Sequence, residues 1–324
     1  MAIPASTFLS ASFHTLFVLN FVLVLVLRFP ETLKRGTCET GRIGFCCHFD
    51  EHAELAGLRR SDLRKPRLTL SGGHRHHSGT DCSCRGADCL NAKQVAAVKR
   101  LMTPVTNYKG EVLYAYRYIP GTETQWAGWN YFGAPRAGYA PRIANLQVPV
   151  QHEKYLADEK IRDNVNALKY DFDREPATLA RSRRIYDASS FDLTAFKARG
   201  GKILMWHGWA DGAIMATSSI GYYEGVVKAM GSRRQTEDFF RLFLVPGVHR
   251  GGGGPGFTEF DSLTALENWV EKAQAPEKLI TGQLSKGVVE RTRPVFPYPV
   301  LARYSGKGDP KQADSFVPFD PSQH

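Results

Sequence analysis

Two short loops in this 324-residue chain carry a carboxylate and an imidazole in an order suited to proton transfer. The first, His207-Gly208-Trp209-Ala210-Asp211-Gly212, follows the apolar run Lys202 to Trp206. The second, Pro246-Gly247-Val248-His249-Arg250, follows Phe239 to Val245 and continues into Gly251 to Gly254, Pro255 and Gly256. A carboxylate such as Asp211 can fix the tautomer of an imidazole such as His249 and stabilise the imidazolium, while the imidazole takes the proton of a hydroxyl nucleophile. Each residue also has a plainer reading. An aspartate at a strand end serves as a turn or helix cap, and a lone histidine in a glycine-rich loop can be incidental. Gly251, Gly253 and Gly256 formally satisfy G-x-G-x-x-G. Pro255 interrupts that turn, however, and the next helix opens only near residue 261, so a dinucleotide phosphate would not meet a helix N-terminus.

The elements that must hold these loops are two strand-then-helix units. Lys202 to Trp206 is a short apolar run bounded by Gly201, as expected of a buried strand. A helix follows from about Ser218, with Ile220, Tyr223, Val226, Val227 and Met230 on one face and Gly231 as its stop. Phe239 to Val245 is the second strand. The next helix starts at an Asp261 N-cap, is expected to bury Leu263, Leu266, Trp269, Val270 and Ala273, and stops before Pro276. Strands alternating with helices imply a parallel sheet, and chemistry in such sheets lies beyond the carboxyl ends of the strands.

Upstream, Ala92 to Leu101 reads as an amphipathic helix, and Lys154 to Lys169 as another. Between them lies a loop-rich, aromatic stretch punctuated by Pro120-Gly121, Gly128 and Gly133-Ala134-Pro135. This section has too few long periodic elements for a core sheet and suits a lid packed over something else.

The first 89 residues differ in composition from the rest. They hold all six cysteines and six of the ten histidines (His14, His48, His52, His74, His76 and His77). Residues 8–27 form an apolar run, readable as an uncleaved signal-like segment or a membrane anchor. The stretch Thr37 to Thr80 shows no sustained period, and the Cys/His cluster there fits no compact structural zinc spacing. A chain that is 43% hydrophobic can build a substantial core. Its net charge of +10 is spread through the periodic segments, which reads as a solvated basic surface and not as a nucleic-acid footprint.

Several motifs in order resemble the tannase and feruloyl esterase family. Leu90 to Ala97 is similar to the start of that family's lid. Pro120-Gly121-Thr122-Glu123 with Trp126, and Tyr170-Asp171-Phe172-Asp173, are similar to later lid motifs. Gly200-Gly201-Lys202 with His207-Gly208-Trp209-Ala210-Asp211 resembles its acid-bearing strand, and Asp238 to Phe243 the approach to its histidine loop. Arg291 to Pro294, Pro297-Tyr298-Pro299 and Ala302-Arg303-Tyr304 resemble its tail.

The resemblance implies a serine carboxylic ester hydrolase for small aromatic esters, with an α/β-hydrolase core and an inserted, substrate-selecting lid. Its order of nucleophile, acid, histidine assigns Asp211 as the acid and His249 as the base. It also implies a secreted, periplasmic or membrane-anchored protein and a Cys84–Cys89 lid disulfide.

The departures are specific. An ungapped match to the histidine loop puts Arg250 in the histidine position, with His249 one residue early. A guanidinium does not deprotonate, so only His249 can be the base, if the glycines let the loop slip. No G-C-S-x-G-G string occurs. Ser71, in Leu70-Ser71-Gly72-Gly73, lies too near the lid to be the nucleophile. The family's calcium loop is absent too, so no cofactor is expected.

The expected fold class is therefore α/β, a partial α/β-hydrolase core with an inserted loop-rich lid and the N-terminal half of the core missing. Its divisions are 1–27 signal-like or anchor, 28–83 unassigned and readable as disordered or as not genuine coding sequence, 84–190 lid, and 191–324 core and tail. The chain is expected to be impaired as an esterase. The competing readings are a non-catalytic, membrane-anchored protein that binds aryl ligands, and a zinc-binding N-terminal module.

Overall fold

The computed structural model describes residues 92–130 and 143–323. The apolar run 8–27, the segment 28–83, Ser71 and the cysteines, including the Cys84–Cys89 pair, lie outside these residues.

Two parallel strands form the centre, β3 (Ile203–Gly208) and β4 (Phe240–Val245), in continuous register from Ile203↔Phe240 to Gly208↔Val245. Before them come helix α1 (Ala92–Leu101), the short pair β1 (Val105–Thr106) and β2 (Val112–Tyr114), and helix α2 (Ala144–Tyr155). Helix α3 (Ala216–Ala229) connects β3 to β4, and helix α4 (Ser262–Lys272) follows β4. The tail makes two antiparallel pairs, β5 (Leu279–Ser285) with β6 (Val288–Val295), and β7 (Leu301–Tyr304) with β8 (Phe316–Phe319).

Side chains alternate across a strand with a period of two, and here the alternation divides the core. Phe240, Leu242 and Leu244 of β4, with Ile203 and Met205 of β3, pack against Tyr223 and Val226 of α3. Phe243 and Val245, with Leu204 and Trp206, pack on the other face against Val248, Leu279, Val295 and Phe260. Both faces are therefore covered, as in a parallel sheet. The two strands are not equally enclosed. Five of the six β4 residues are buried, whereas Ile203 to Trp206 are only partly so. The far edge of β4 is closed by the tail, where Tyr298 N–H donates to Leu242 O at 2.7 Å. Among the described residues β3 has no strand on its other edge.

Asp261 caps α4 as expected, its Oδ1 accepting from Thr264 N–H at 2.9 Å. That carboxylate occupies the helix N-terminus, which leaves the preceding glycine run without the positive end a phosphate needs. The face of α4 departs from expectation. Only Trp269 is buried; Leu263 and Val270 are exposed, with no described segment covering them, and Ala273 ends the helix as a left-handed C-cap. The helix expected over Lys154 to Lys169 lies earlier, at α2. It runs through Pro149, whose ring is buried and whose missing N–H costs one bond.

The segment 92–190 has its own core, with Val98, Leu101, Tyr114, Tyr118, Trp126, Tyr170, Phe172 and Leu179. Met215, from the loop after β3, belongs to the same cluster. The lid-like part is thus packed directly on the loop that carries Asp211.

Candidate active site

Asp211 and His249 project from the loops that leave the register-matched ends of β3 and β4, Gly208 and Val245. The loops are zipped at their roots, with Trp209 N–H donating to Val245 O at 2.9 Å and Ala210 N–H to Val248 O at 3.1 Å.

The Asp211 carboxylate is buried and well supplied with donors. Its Oδ1 accepts from Ala213 N–H at 2.7 Å and Ile214 N–H at 2.8 Å. Its Oδ2 lies 3.2 Å from Nε2 of the buried His207, which is also 3.2 Å from Ile214 O. Both partners of that nitrogen are acceptors, so Nε2 of His207 carries the proton. The other nitrogen, Nδ1, is 2.7 Å from Ser219 Oγ and in the neutral ring accepts from it. His207 entered the sequence reading only as part of a motif. In the folded chain it is the side chain that grips the acid. Its signal is the i, i+4 spacing from Asp211 across the end of the strand.

His249 is held by an unusual loop. Gly251 to Gly254 all have positive φ (71°, 132°, 73° and 88°), conformations that L side chains rarely adopt. The turn closes with His249 N–H donating to Gly253 O at 3.1 Å. Burial lowers the imidazole below its ordinary value of 6.5, and the charge of Asp211 opposes that shift. The two groups therefore feel one another, yet among the described residues they share no hydrogen bond. One acceptor position on Oδ2 of Asp211 is left after the contacts above.

Nε2 of His249 is instead 3.0 Å from Thr124 Oγ1. The Thr124 hydroxyl has one proton and donates it to Gly121 O at 3.0 Å. With that hydrogen on Gly121 O, Thr124 accepts towards His249, and Nε2 then holds the ring proton. This is the opposite tautomer from a base about to receive a hydroxyl proton at that nitrogen. Arg250 takes a separate path, its guanidinium carbon standing 5.4 Å from the centre of the Trp129 ring. The arginine that an ungapped alignment sets in the histidine position is thus turned to an aromatic face, and its neighbour His249 is the group that senses Asp211.

The segment 92–190 grips the Asp211 loop through a buried polar network that the sequence did not signal. Asn130 Nδ2 donates to Gly212 O at 2.8 Å, Asn145 Nδ2 donates to Asn130 Oδ1 at 2.8 Å, and Tyr118 OH lies 3.0 Å from Ala213 O. Burial holds the Tyr118 phenol well above its ordinary range, so it remains a neutral donor. Beside Trp209 lies an apolar cavity of about 50 Å³ lined by Ile220, Leu244, Tyr298 and Pro299, far below the several hundred Å³ of a typical ligand pocket. Among the described residues no group of three or more His, Cys, Asp or Glu could hold a metal, and no helix is long and apolar enough to cross a membrane.

Residues 62–318 match the family described as tannase and feruloyl esterase. The chain is 34% identical over 263 residues to mono(2-hydroxyethyl) terephthalate hydrolase of Piscinibacter sakaiensis, covering 72% of this chain and 43% of that one. It is 41% identical over 137 residues to a probable feruloyl esterase of Arthroderma benhamiae, 41% of this chain and 25% of that one. Its fold is similar to the crystal structure of an esterase from Aspergillus oryzae, with a TM-score of 0.62 and 26% identity over 73% of this chain and 48% of that one. The chain spans about half the length of the curated relatives it matches over most of its own.

Proposed function

The chain belongs to the tannase and feruloyl esterase family, and from that membership we propose that it is a carboxylic ester hydrolase for small aromatic esters, with Asp211 as the acid and His249 as the base. The observation that carries this reading is the placement of both residues beyond the register-matched carboxyl ends of β3 and β4, with Asp211's charge opposing the burial shift of His249. In the working arrangement His249 donates from Nδ1 to the remaining acceptor position of Asp211 Oδ2, and its Nε2 takes the proton of an attacking hydroxyl. No residue among those described is assigned as that hydroxyl. The core described is on this reading one part of an α/β-hydrolase sheet, with residues 92–190 as its lid.

A second reading, a protein that binds aryl ligands without turning them over, is favoured by one observation. The base nitrogen is engaged by Thr124 and the acid by His207, not by each other. Incubating the full chain with methyl ferulate, and measuring both bound ligand and released acid, separates the two. Release of ferulate that is lost in Asp211→Ala supports the hydrolase. Saturable binding with no released acid supports the binder and rejects the hydrolase for this chain.

A further inference from the structure

One oxygen atom in the lid joins both candidate loops. Oε1 of Gln125, at the end of the short 3₁₀ helix Thr122–Gln125, accepts from Gly212 N–H at 2.9 Å and from Arg250 N–H at 2.9 Å. These amides belong to the residues directly after Asp211 and directly after His249. A side-chain amide oxygen has two lone pairs, and both are used, one on each loop. The approach is close by construction. A Cβ on Gly212 would lie 2.8 Å from the backbone carbon of Gln125 and 2.9 Å from its Cβ, so only glycine lets the lid come this near. The adjacent Thr124 engages His249 itself. Neither Gln125 nor Gly212 figured in the resemblance as a functional position.

We propose that Gln125 is a positioning residue, a clasp reaching from the lid that sets the spacing between the Asp211 loop and the His249 loop. The proposal rests on the reading of those loops as the acid and base of the site. Its physical content is that lid docking and acid–base geometry are one equilibrium. When the 3₁₀ helix lifts, both amides lose their partner together and both loops relax.

The test is amide hydrogen exchange by NMR on the full chain, with Gln125→Met removing the acceptor at similar size and Gln125→Glu keeping an acceptor oxygen. In Gln125→Met the amides of Gly212 and Arg250 are expected to exchange faster together, by about tenfold, the effect of one ordinary hydrogen bond. Those of Phe243 and Leu244 in β4 keep their rates, and Gln125→Glu retains protection at both loops. The His249 titration midpoint in Gln125→Met is expected to move up toward the ordinary value as the loop gains solvent, a shift that general loosening elsewhere does not produce. Wild-type exchange at either loop amide overturns the proposal. So does acceleration spread equally to Phe243 and Leu244, an unmoved His249 midpoint, or a glutamate variant that behaves like the methionine one. None of these readouts needs ester turnover, so a clasp without hydrolysis, and hydrolysis without a clasp, are separate outcomes.

Discussion

Oγ1 of Thr124 lies 3.0 Å from Nε2 of His249 and, with the threonine's own hydroxyl hydrogen directed to Gly121 O, accepts a hydrogen bond from the ring. Thr124 therefore sets the tautomer of the candidate base. In this arrangement the ring presents a donor where the proposed hydrolysis requires an acceptor, so on that proposal Thr124 and substrate compete for the same nitrogen.

Thr124→Val removes that acceptor while keeping the shape of the side chain. The neutral His249 ring should then exchange between its two tautomers, where the parent protein shows mainly the form protonated at Nε2. Nitrogen-15 spectra of the imidazole measure this directly. An unchanged tautomer in the variant contradicts the assignment.

His249 should titrate below 6.5, since burial disfavours its charged form. The sign for stability follows. The unfolded chain binds the proton more readily, so folding is undisturbed above the ordinary value and weakens as pH falls through it towards the lower folded midpoint. Asp211→Asn withdraws the one charge that opposes the shift and should lower the midpoint further. A midpoint that rises in this variant rejects an electrostatic link between the two residues.

Glu153, on the buried side of α2, is pushed up to about 7, first by burial and then by the neighbouring Glu175. Its raised value makes the folded lid most stable below the ordinary carboxylate range near 4.5, with stability lost as pH rises through about 7. Glu153→Gln should flatten this dependence and stabilise the protein at neutral pH by on the order of 1 kcal/mol, after allowance for solvent screening. Thermal melts at pH 5 and pH 8 (roughly the two sides of this transition) compare the variants. A parent protein equally stable at both contradicts the assignment.

Asn130→Ala strips Gly212 O of its donor and Tyr118 and Asn145 of a shared acceptor. A buried network left partly satisfied is costly, and the loss should be about 2–4 kcal/mol, read from urea denaturation. A change below about 0.5 kcal/mol, the range of surface substitutions, would show that the network does not hold the lid to the acid loop.

The strand and helix pattern from Gly200 onward was legible because each unit buries a continuous apolar run between plain stops, Gly201 and Gly231, Asp261 and Pro276. The positions of Asp211 and His249 beyond the strand ends were legible for the same reason, since each sits one loop beyond such a run. What sequence could not reveal were the contacts across distant segments. Thr124 and Gln125 read as loop residues, and their partners lie 125 and 87 residues away. Nothing local marks a glutamine that will share its oxygen between two amides. His207 read as the first residue of the loop after Lys202 to Trp206, whereas the folded chain places it within β3 with its ring against Asp211. The exposed Leu263 and Val270 of α4 follow the helical period faithfully, but period reports which face is apolar and not whether anything covers it.

The central claim is that Asp211 and His249 act as one acid–base unit, and a double-substitution cycle on ester turnover tests it most directly. With methyl ferulate and the full chain, Asp211→Ala and His249→Ala should each lower kcat/KM by about a thousandfold or more, and the double variant should be no worse than the poorer single one. Losses that multiply independently, or turnover that survives either substitution, would contradict it.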